Sequence, residues 1–160
     1  MFSPFLSEQI RLAHDGSAWH GNALAENVAG IDAERAASRP LPEAHSVWEI
    51  VLHVTAWTRE VVRRLDGGAP ALPPEGDWPA VGAVSEEAWT RARQELRDVH
   101  AALAAAVERF PDARWPEQVG RERDAPLGTG VSYAAMIAGL LQHDAYHGGQ
   151  IGLLRKALRL

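Results

Sequence analysis

The clustering of prolines constrains the fold of this chain more than any other feature of its sequence. Seven of the ten prolines fall in two stretches, residues 66–84 and 111–131. Proline lacks a backbone N–H and clashes with the preceding turn of a helix, so both stretches are predicted to be loops. The segments around them are rich in Ala, Leu, Arg and Glu, which favour helix, and none alternates apolar and polar residues as a strand would. An all-α fold is therefore predicted.

The helical spacing of apolar residues predicts four long helices, at residues 3–28, 46–65, 85–110 and 132–158. Each is about 20 to 27 residues long and reaches up to about 40 Å at 1.5 Å per residue, which is typical of a four-helix bundle. The two proline-rich loops exceed the roughly 2 to 8 residues that join helices in a simple up-and-down bundle. Long crossover loops are therefore expected.

Residues that cap helices support the predicted boundaries. Ser3 precedes Pro4, and proline is favoured at the first helical position. Ser46 and Glu49 fit a capping box, in which each side chain bonds to the backbone N–H of the other residue. Asp32 is expected to cap a short turn between the first two long helices.

Composition narrows the classes of function. A chain of 160 residues suits a single domain, here residues 1–160. A net charge of −5 disfavours nucleic acid and anionic lipid as partners. The lack of cysteine excludes disulfides, thiolate metal sites and a thiol nucleophile, and it is typical of a reducing cytoplasm. No targeting segment and no apolar run of bilayer length is visible, so a cytoplasmic protein without membrane contact is predicted.

Two of the seven histidines, His143 and His147, lie one turn apart in the fourth predicted helix. Side chains at positions i and i+4 share a helix face, so both imidazoles can reach one metal ion. Met136, Leu140 and Leu154 continue this face and place it towards the core, where two unpaired histidines would cost desolvation free energy. The alternative is that both histidines pack in the core and bond to backbone or water.

The same segment is similar to the HExxH signature of zinc peptidases, with Asp144 in place of Glu. Those enzymes take a third ligand from downstream, and the thirteen residues after His147 contain no His, Asp or Glu. A third ligand must therefore come from upstream. The best candidate is His53, which lies in an apolar stretch between Trp48 and Trp57. The alternative is that His53 lies on a solvated helix face.

Two segments, HSVWEIVLHVTAW and GLLQHDAYHGGQIGLLRK, resemble the DinB/YfiT-like superfamily of metalloenzymes. This is the DNA-damage-inducible DinB family and not the polymerase of the same name. The resemblance extends over nearly the whole chain. It implies a four-helix bundle with crossover connections, often a homodimer, that holds a divalent metal with three histidines. Carried over residue by residue, these are His53, His143 and His147.

Three neutral imidazoles leave a metal position for water or substrate, as in catalytic sites. The metal would lower the pKa of a water molecule or act as a Lewis acid, and proton competition is expected to release it as the pH falls below the histidine pKa. Imidazole suits zinc or nickel, and iron or manganese are further candidates. The resemblance implies a hydrolase or a thiol-dependent S-transferase for a small-molecule substrate, with a low-molecular-weight thiol as one candidate. The alternatives are a non-catalytic metal-binding module of a stress response and a helical interaction protein without metal.

Three further residues are candidates to orient the ligands or to transfer protons: Asp144, Tyr146 and Gln150. The alternatives are that Asp144 is a solvated helix residue and that Tyr146 and Gln150 only pack. The other four histidines are predicted to be incidental to the site: His14, His20, His45 and His100. Of these, His14 and His45 are expected at the surface or at helix ends.

The fourth predicted helix is also rich in glycine, at positions 139, 148, 149 and 152. Glycine in the middle of a helix costs about 0.8–1 kcal/mol relative to alanine, so a compensating reason is expected. Gly148, Gly149 and Gly152 lie opposite the histidine face. They predict a close approach of another helix, within the bundle or across a dimer.

Overall fold

A computed structural model of the protein describes residues 2–160, which form helices and long connections without a β-strand. The described part of the chain contains the helices α1 (Ser3–Asp15), α2 (Leu24–Val28), α3 (Ala33–Ala37), α4 (Val47–Leu65), α5 (Glu86–Arg109) and α6 (Tyr133–Ala157). The predicted all-α class is confirmed. No helix within residues 2–160 combines the length and the apolarity that a bilayer crossing requires.

The bundle consists of α1, α4, α5 and α6. Both α1 and α4 pack against α5 and α6, so that the pairs α1/α4 and α5/α6 lie across the diagonals of the bundle. Helices α4 and α5 run parallel. The rings of Trp48 and Trp89, near the two helix starts, are 5.2 Å apart. Asp66 and Arg109, at the two helix ends, form an ion pair of 2.8 Å.

Parallel neighbours cannot be joined by a tight turn, so the chain between Leu65 and Glu86 has to return along the bundle. This connection is the first of the two predicted long loops. On its way it passes His53, and the carbonyl of Asp77 lies 2.6 Å from the ring of that residue. The direction of the helices therefore brings a loop to the middle of the bundle.

The prediction of one continuous helix over residues 3–28 is wrong. Helix α1 ends at Asp15, Gly16 is extended (φ −130°, ψ −162°), and the chain re-enters a helix only at α2. The physical reason is the weak helix propensity around Gly16 and Gly21, the second of which adopts φ +117°. Ser3 is not a cap either, because it is the first helical residue and its hydroxyl bonds to Asp112 at 2.8 Å.

The other predicted boundaries agree with the structure to within one residue. Ser46 and Glu49 form the expected capping box, with bonds of 3.1 Å and 2.7 Å. Ser85 and Ser132 cap α5 and α6 through bonds to the backbone N–H three residues later. Asp32 accepts from the N–H of Arg35 at 2.8 Å and caps the short helix α3. Local capping therefore decides where these helices begin.

Buried apolar side chains form two clusters, one at each end of the bundle. One cluster joins α2 and α3 to the starts of α4 and α5 and the end of α6. The other joins α1 to the ends of α4 and α5 and the start of α6. Between them lie buried polar side chains, which include His100, Asp144 and His147. We call these residues, together with His14, His53 and His143, the polar layer.

The glycines of α6 have different surroundings. A Cβ on Gly148 or Gly152 would lie 3.6 Å or 3.8 Å from the side chain of Asn27, which also donates to the carbonyl of Gly148 at 3.1 Å. At these two positions α6 does approach another helix, α2. A Cβ on Gly139 or Gly149 would meet no atom within 4 Å. The predicted close approach within the bundle is therefore wrong for Gly149.

A buried ion pair holds both long loops against α4. Glu60 and Arg64 are each 2% exposed, and the carboxylate accepts from the guanidinium at 2.8 Å. Glu60 also accepts from the N–H of Ala71 at 2.9 Å, in the first long loop. Arg64 donates to the carbonyl of Leu127 at 2.8 Å, in the second long loop. One buried ion pair thus holds both proline-rich loops against α4.

Removing Glu60 should destabilise the protein by about 3–5 kcal/mol, because Arg64 then stays buried without a carboxylate. Removing Arg64 should cost less, because Glu60 keeps an ion pair of 2.7 Å with Arg63. We expect the full loss for Glu60→Leu and a smaller one for Arg64→Met. The double variant should lose less than the sum of the two, since it buries no unpaired charge. Urea denaturation of the four proteins measures the coupling, and strictly additive losses would contradict it.

Candidate metal centre

Three histidines from two helices converge at the polar layer. His53 comes from α4, and His143 and His147 come from successive turns of α6. One ring nitrogen of each lies within 4.8 Å of the other two, and the Nε2 atoms of His53 and His143 are 2.8 Å apart. His53 is 5% exposed, which excludes the alternative of a solvated helix face. The three residues named from the sequence are therefore brought together by the fold.

A loop carbonyl sets the tautomer of His53. Its Nδ1 lies 2.6 Å from the carbonyl oxygen of Asp77, and a carbonyl only accepts, so Nδ1 carries the proton and Nε2 presents a lone pair. The ring is stacked on Trp78 with centroids 4.0 Å apart. Trp57 donates from its indole N–H to the carboxylate of Asp77 at 2.7 Å and holds this loop in place.

Gln150 has the same effect on His147. The Nδ1 of His147 lies 2.6 Å from the amide oxygen of Gln150, which leaves Nε2 of the ring to face the cluster. The amide nitrogen of Gln150 donates to the hydroxyl of Tyr146 at 3.1 Å. The structure therefore places Gln150 against one ring of the cluster and Tyr146 one hydrogen bond further away.

A buried carboxylate faces the third ring. The Nδ1 of His143 lies 3.7 Å from Oδ1 of Asp144, too far for a hydrogen bond but close enough for electrostatic attraction. Both atoms are buried and make no hydrogen bond within the described chain. The carboxylate favours a proton on Nδ1 and therefore a lone pair on Nε2. Asp144 is 5% exposed, so the alternative of a solvated helix residue is wrong.

The other oxygen of Asp144 bonds to His100 across the diagonal of the bundle. The Nε2 of His100 lies 3.0 Å from Oδ2 of Asp144, and its Nδ1 lies 2.8 Å from the carbonyl of Leu96. Two acceptors require two N–H donors, so His100 is an imidazolium. Burial alone lowers the pKa of His100, but the hydrogen bond and charge of Asp144 outweigh it and raise that pKa above its ordinary value.

His14 extends this group of polar residues into α1. Its ring is stacked on His100, with centroids 4.2 Å apart and an interplanar angle of 11°. Burial, together with the positive charge of His100, lowers the pKa of His14 to about 3. Neither ring nitrogen of His14 has a hydrogen-bond partner among the described residues. His14 is therefore a neutral ring packed against a buried cation.

Burial disfavours protonation of two of the three clustered rings. Burial lowers the pKa of His53, and burial with the charge of His143 lowers the pKa of His147 to about 4. The 2.8 Å contact between Nε2 of His53 and Nε2 of His143 is a hydrogen bond if His143 carries its proton on Nε2. It becomes a repulsion between two lone pairs if the carboxylate of Asp144 draws that proton to Nδ1. A divalent cation would turn this repulsion into coordination, and three neutral imidazoles suit zinc or nickel.

An open cavity of about 620 Å³ adjoins the cluster. All three histidines and Tyr146 contribute to its walls. Cavities that bind small molecules are typically about 300–1,000 Å³, so a small organic molecule can reach the histidine nitrogens.

Sequence reasoning missed four residues that contact the cluster or the polar layer around it. His100 and His14 were predicted to be incidental, and both lie in the polar layer. Asp77 and Trp78 belong to a loop for which no pattern was recognised. An ionisable residue on an apolar helix face, such as His100 between Leu96 and Leu103, is the signal that would have found one of them. Of the other two histidines that were predicted to be incidental, His20 is exposed and lies outside the cluster. His45 is half-buried, and its ring stacks on Trp78 with centroids 3.5 Å apart.

The neutral state of His14 makes stability depend on pH. Unfolded His14 titrates near pH 6.5 and folded His14 near pH 3, so the unfolded state binds more protons between these values and stability falls as the pH drops through this window. When the pH falls from 7 to 5, the free energy of unfolding of wild type should decrease by up to about 2 kcal/mol more than that of His14→Phe. Urea denaturation at both pH values measures this difference, and equal losses would contradict it.

Comparison with protein families adds an independent finding. The model of the DinB superfamily matches residues 18–151, which is most of the chain. Comparisons with curated proteins and with solved structures gave no significant match. The matched span includes α4, α5 and most of α6, and with them the three clustered histidines. The chain belongs to the DinB superfamily.

Proposed function

We propose that this protein is a metal-dependent enzyme in which His53, His143 and His147 hold a divalent cation. Zinc and nickel are the first candidates, and iron and manganese follow. The proposed reaction is a hydrolysis or a thiol-dependent S-transfer on a small molecule. The observation that carries the proposal is the convergence of three imidazole nitrogens, within 4.8 Å of one another, at the wall of an open cavity. Membership of the DinB superfamily supports it.

When bound, the cation supplies a Lewis acid that lowers the pKa of a water molecule or thiol, or polarises a substrate oxygen. The residues of the chain do the rest. The acceptors on Asp77 and Gln150 hold the Nδ1 protons of His53 and His147 on the outer side of those rings. The charge of Asp144 favours the same tautomer of His143, so that one Nε2 atom from each ring can face the ion. Tyr146 accepts its hydrogen bond from Gln150, which leaves its own O–H proton to donate to a substrate in the cavity.

The cavity favours an enzyme over a non-catalytic metal-binding module. Structural metal sites are usually closed by four protein ligands, whereas catalytic sites use three and keep one position open. Among the described residues, the cluster contains three such side chains. A substrate-sized space lies directly beside them.

Elemental analysis of the purified protein tests the metal site. Wild type should hold about one divalent ion per chain, and His53→Ala should lose most of it because only two imidazoles remain. The control is His20→Ala, which removes an exposed histidine outside the cluster and should keep the full metal content. Full metal content in His53→Ala, or none in wild type after growth with zinc and nickel, would contradict the proposal.

The carboxylate of Asp144 should tune the affinity for the metal. Asp144→Asn keeps the shape of the side chain but removes the charge that faces His143 and pairs with His100. We expect it to destabilise the fold and to weaken metal binding about 10–100-fold in a chelator competition. Ser7→Ala is the matched control, because it removes a buried hydrogen bond between α1 and α5 (3.1 Å to the carbonyl of Ala104) without touching the polar layer. If both variants lose stability and neither loses metal affinity, Asp144 acts on folding alone.

A further inference from the structure

The cavity beside the histidines is an elongated slot between α4 and α6. Residues from successive turns of α4 form one wall: His53, Trp57, Val61 and Arg64. The two helices are antiparallel, because His53 lies against His143 of α6, whereas Arg64 bonds to Leu127, which precedes α6. His53 and Arg64 are eleven residues apart, so the slot is about 16 Å long at 1.5 Å per residue. The histidines lie at one end and Arg64 at the other.

The middle of the slot is apolar, and one glycine keeps it open. Its walls carry Trp57, Val61, Met136 and Leu140. Gly139 lies between the last two, in the second turn of α6, where a glycine costs about 0.8–1 kcal/mol relative to alanine. A Cβ at this position would meet no atom within 4 Å, so no packing contact requires the glycine. What its missing side chain provides is room in the slot.

The far end of the slot carries an uncompensated positive charge. The charge of Arg64 is already paired, but Arg123 also lines the slot and forms no ion pair with any described carboxylate. It donates one bond, of 3.0 Å, to the carbonyl of Thr129, close to the Leu127 carbonyl that Arg64 bonds. A guanidinium has five N–H donors, so further donors remain for a ligand. Asp77, the one acid among the lining residues, lies at the opposite, histidine end.

We propose that the substrate of this site is an elongated, apolar organic anion. Its reacting group lies at the histidine cluster, its hydrocarbon or aryl body fills the slot beside Gly139, and its carboxylate, sulfonate or phosphate pairs with Arg123. Only the placement of the reacting group rests on the proposed metal function. The apolar slot and the cationic end follow from the lining residues alone.

Calorimetric titration with ω-mercaptooctanoate and ω-mercaptooctanol tests the charge. Both probes have a thiol for the histidine-bound ion and an apolar chain of one length, and only the first has an anionic end. Zinc-loaded wild type should bind the acid about tenfold more tightly than the alcohol, as a charge-assisted hydrogen bond implies. Arg123→Gln should abolish that difference and leave binding of the alcohol unchanged.

Substitution of two α6 glycines tests the slot. Gly139→Leu should fill it and weaken both probes about tenfold or more, since a displaced chain of this length loses several buried methylene groups. Gly149→Leu is the matched control: its Cβ is equally unobstructed and it lies on the same helix, but it is not part of the slot. It should bind both probes like wild type. Circular dichroism and melting temperature confirm that each variant folds.

The assignment of Arg123 as the partner of an anionic group would be overturned by either of two results. One is equal affinity of wild type for the acid and the alcohol, and the other is a preference for the acid that persists in Arg123→Gln. Unchanged binding by folded Gly139→Leu would overturn the slot. The same titrations on metal-free protein separate this inference from the metal proposal. If wild type takes up no metal but still binds the acid more tightly than the alcohol, and both affinities are weakened in Gly139→Leu, the inference stands and the metal proposal fails. If metal-loaded protein binds neither probe, the inference alone fails.

Discussion

The buried ion pair between His100 and Asp144 is the contact on which the centre of this bundle depends. It joins α5 and α6 across the diagonal, between two apolar clusters that would pack in many registers by themselves. Breaking such a pair leaves an uncompensated buried charge and costs about 3–5 kcal/mol, so the register in which both charges are paired is strongly preferred. The same register turns the adjacent His143 towards His53. The polar layer thus aligns the helices and also assembles the histidine cluster.

The two long loops complete the site that the helices form. Because α4 and α5 are parallel, the chain between them has to pass the middle of the bundle, and there it supplies the acceptor for His53 and the ring stacked on it. Glu60 and Arg64 hold this loop and the next one at the end of the slot. Helices therefore carry the three candidate ligands, whereas loops orient one of them and close the cavity. Such a division is expected where a rigid scaffold positions functional loops.

The composition limits the chemistry that this site can perform. The chain has no cysteine, so any thiol that reacts at the histidine cluster has to come from a substrate or cosubstrate. The net charge of the chain is −5, yet the slot itself combines an apolar wall with the unpaired charge of Arg123. Local charge rather than net charge therefore governs what this cavity attracts, because screening confines electrostatic attraction to about 10 Å at ordinary salt concentrations.

The sequence by itself determined the helical class, most helix boundaries and the pairing of His143 with His147, because proline positions, serine caps and the i, i+4 spacing are local features. The third histidine of the cluster, His53, followed from the family resemblance. The sequence did not determine the end of α1 at Gly16, because the helical spacing of small and apolar residues continues past this break. Only the tertiary structure decided that His100 and His14 join the polar layer and that Asp77 and Trp78 meet His53. These contacts depend on which helices are diagonal and which are parallel. Helical periodicity identifies the face of each helix that is buried. It does not identify the neighbouring helix against which that face packs, because this is set by contacts between residues far apart in the chain.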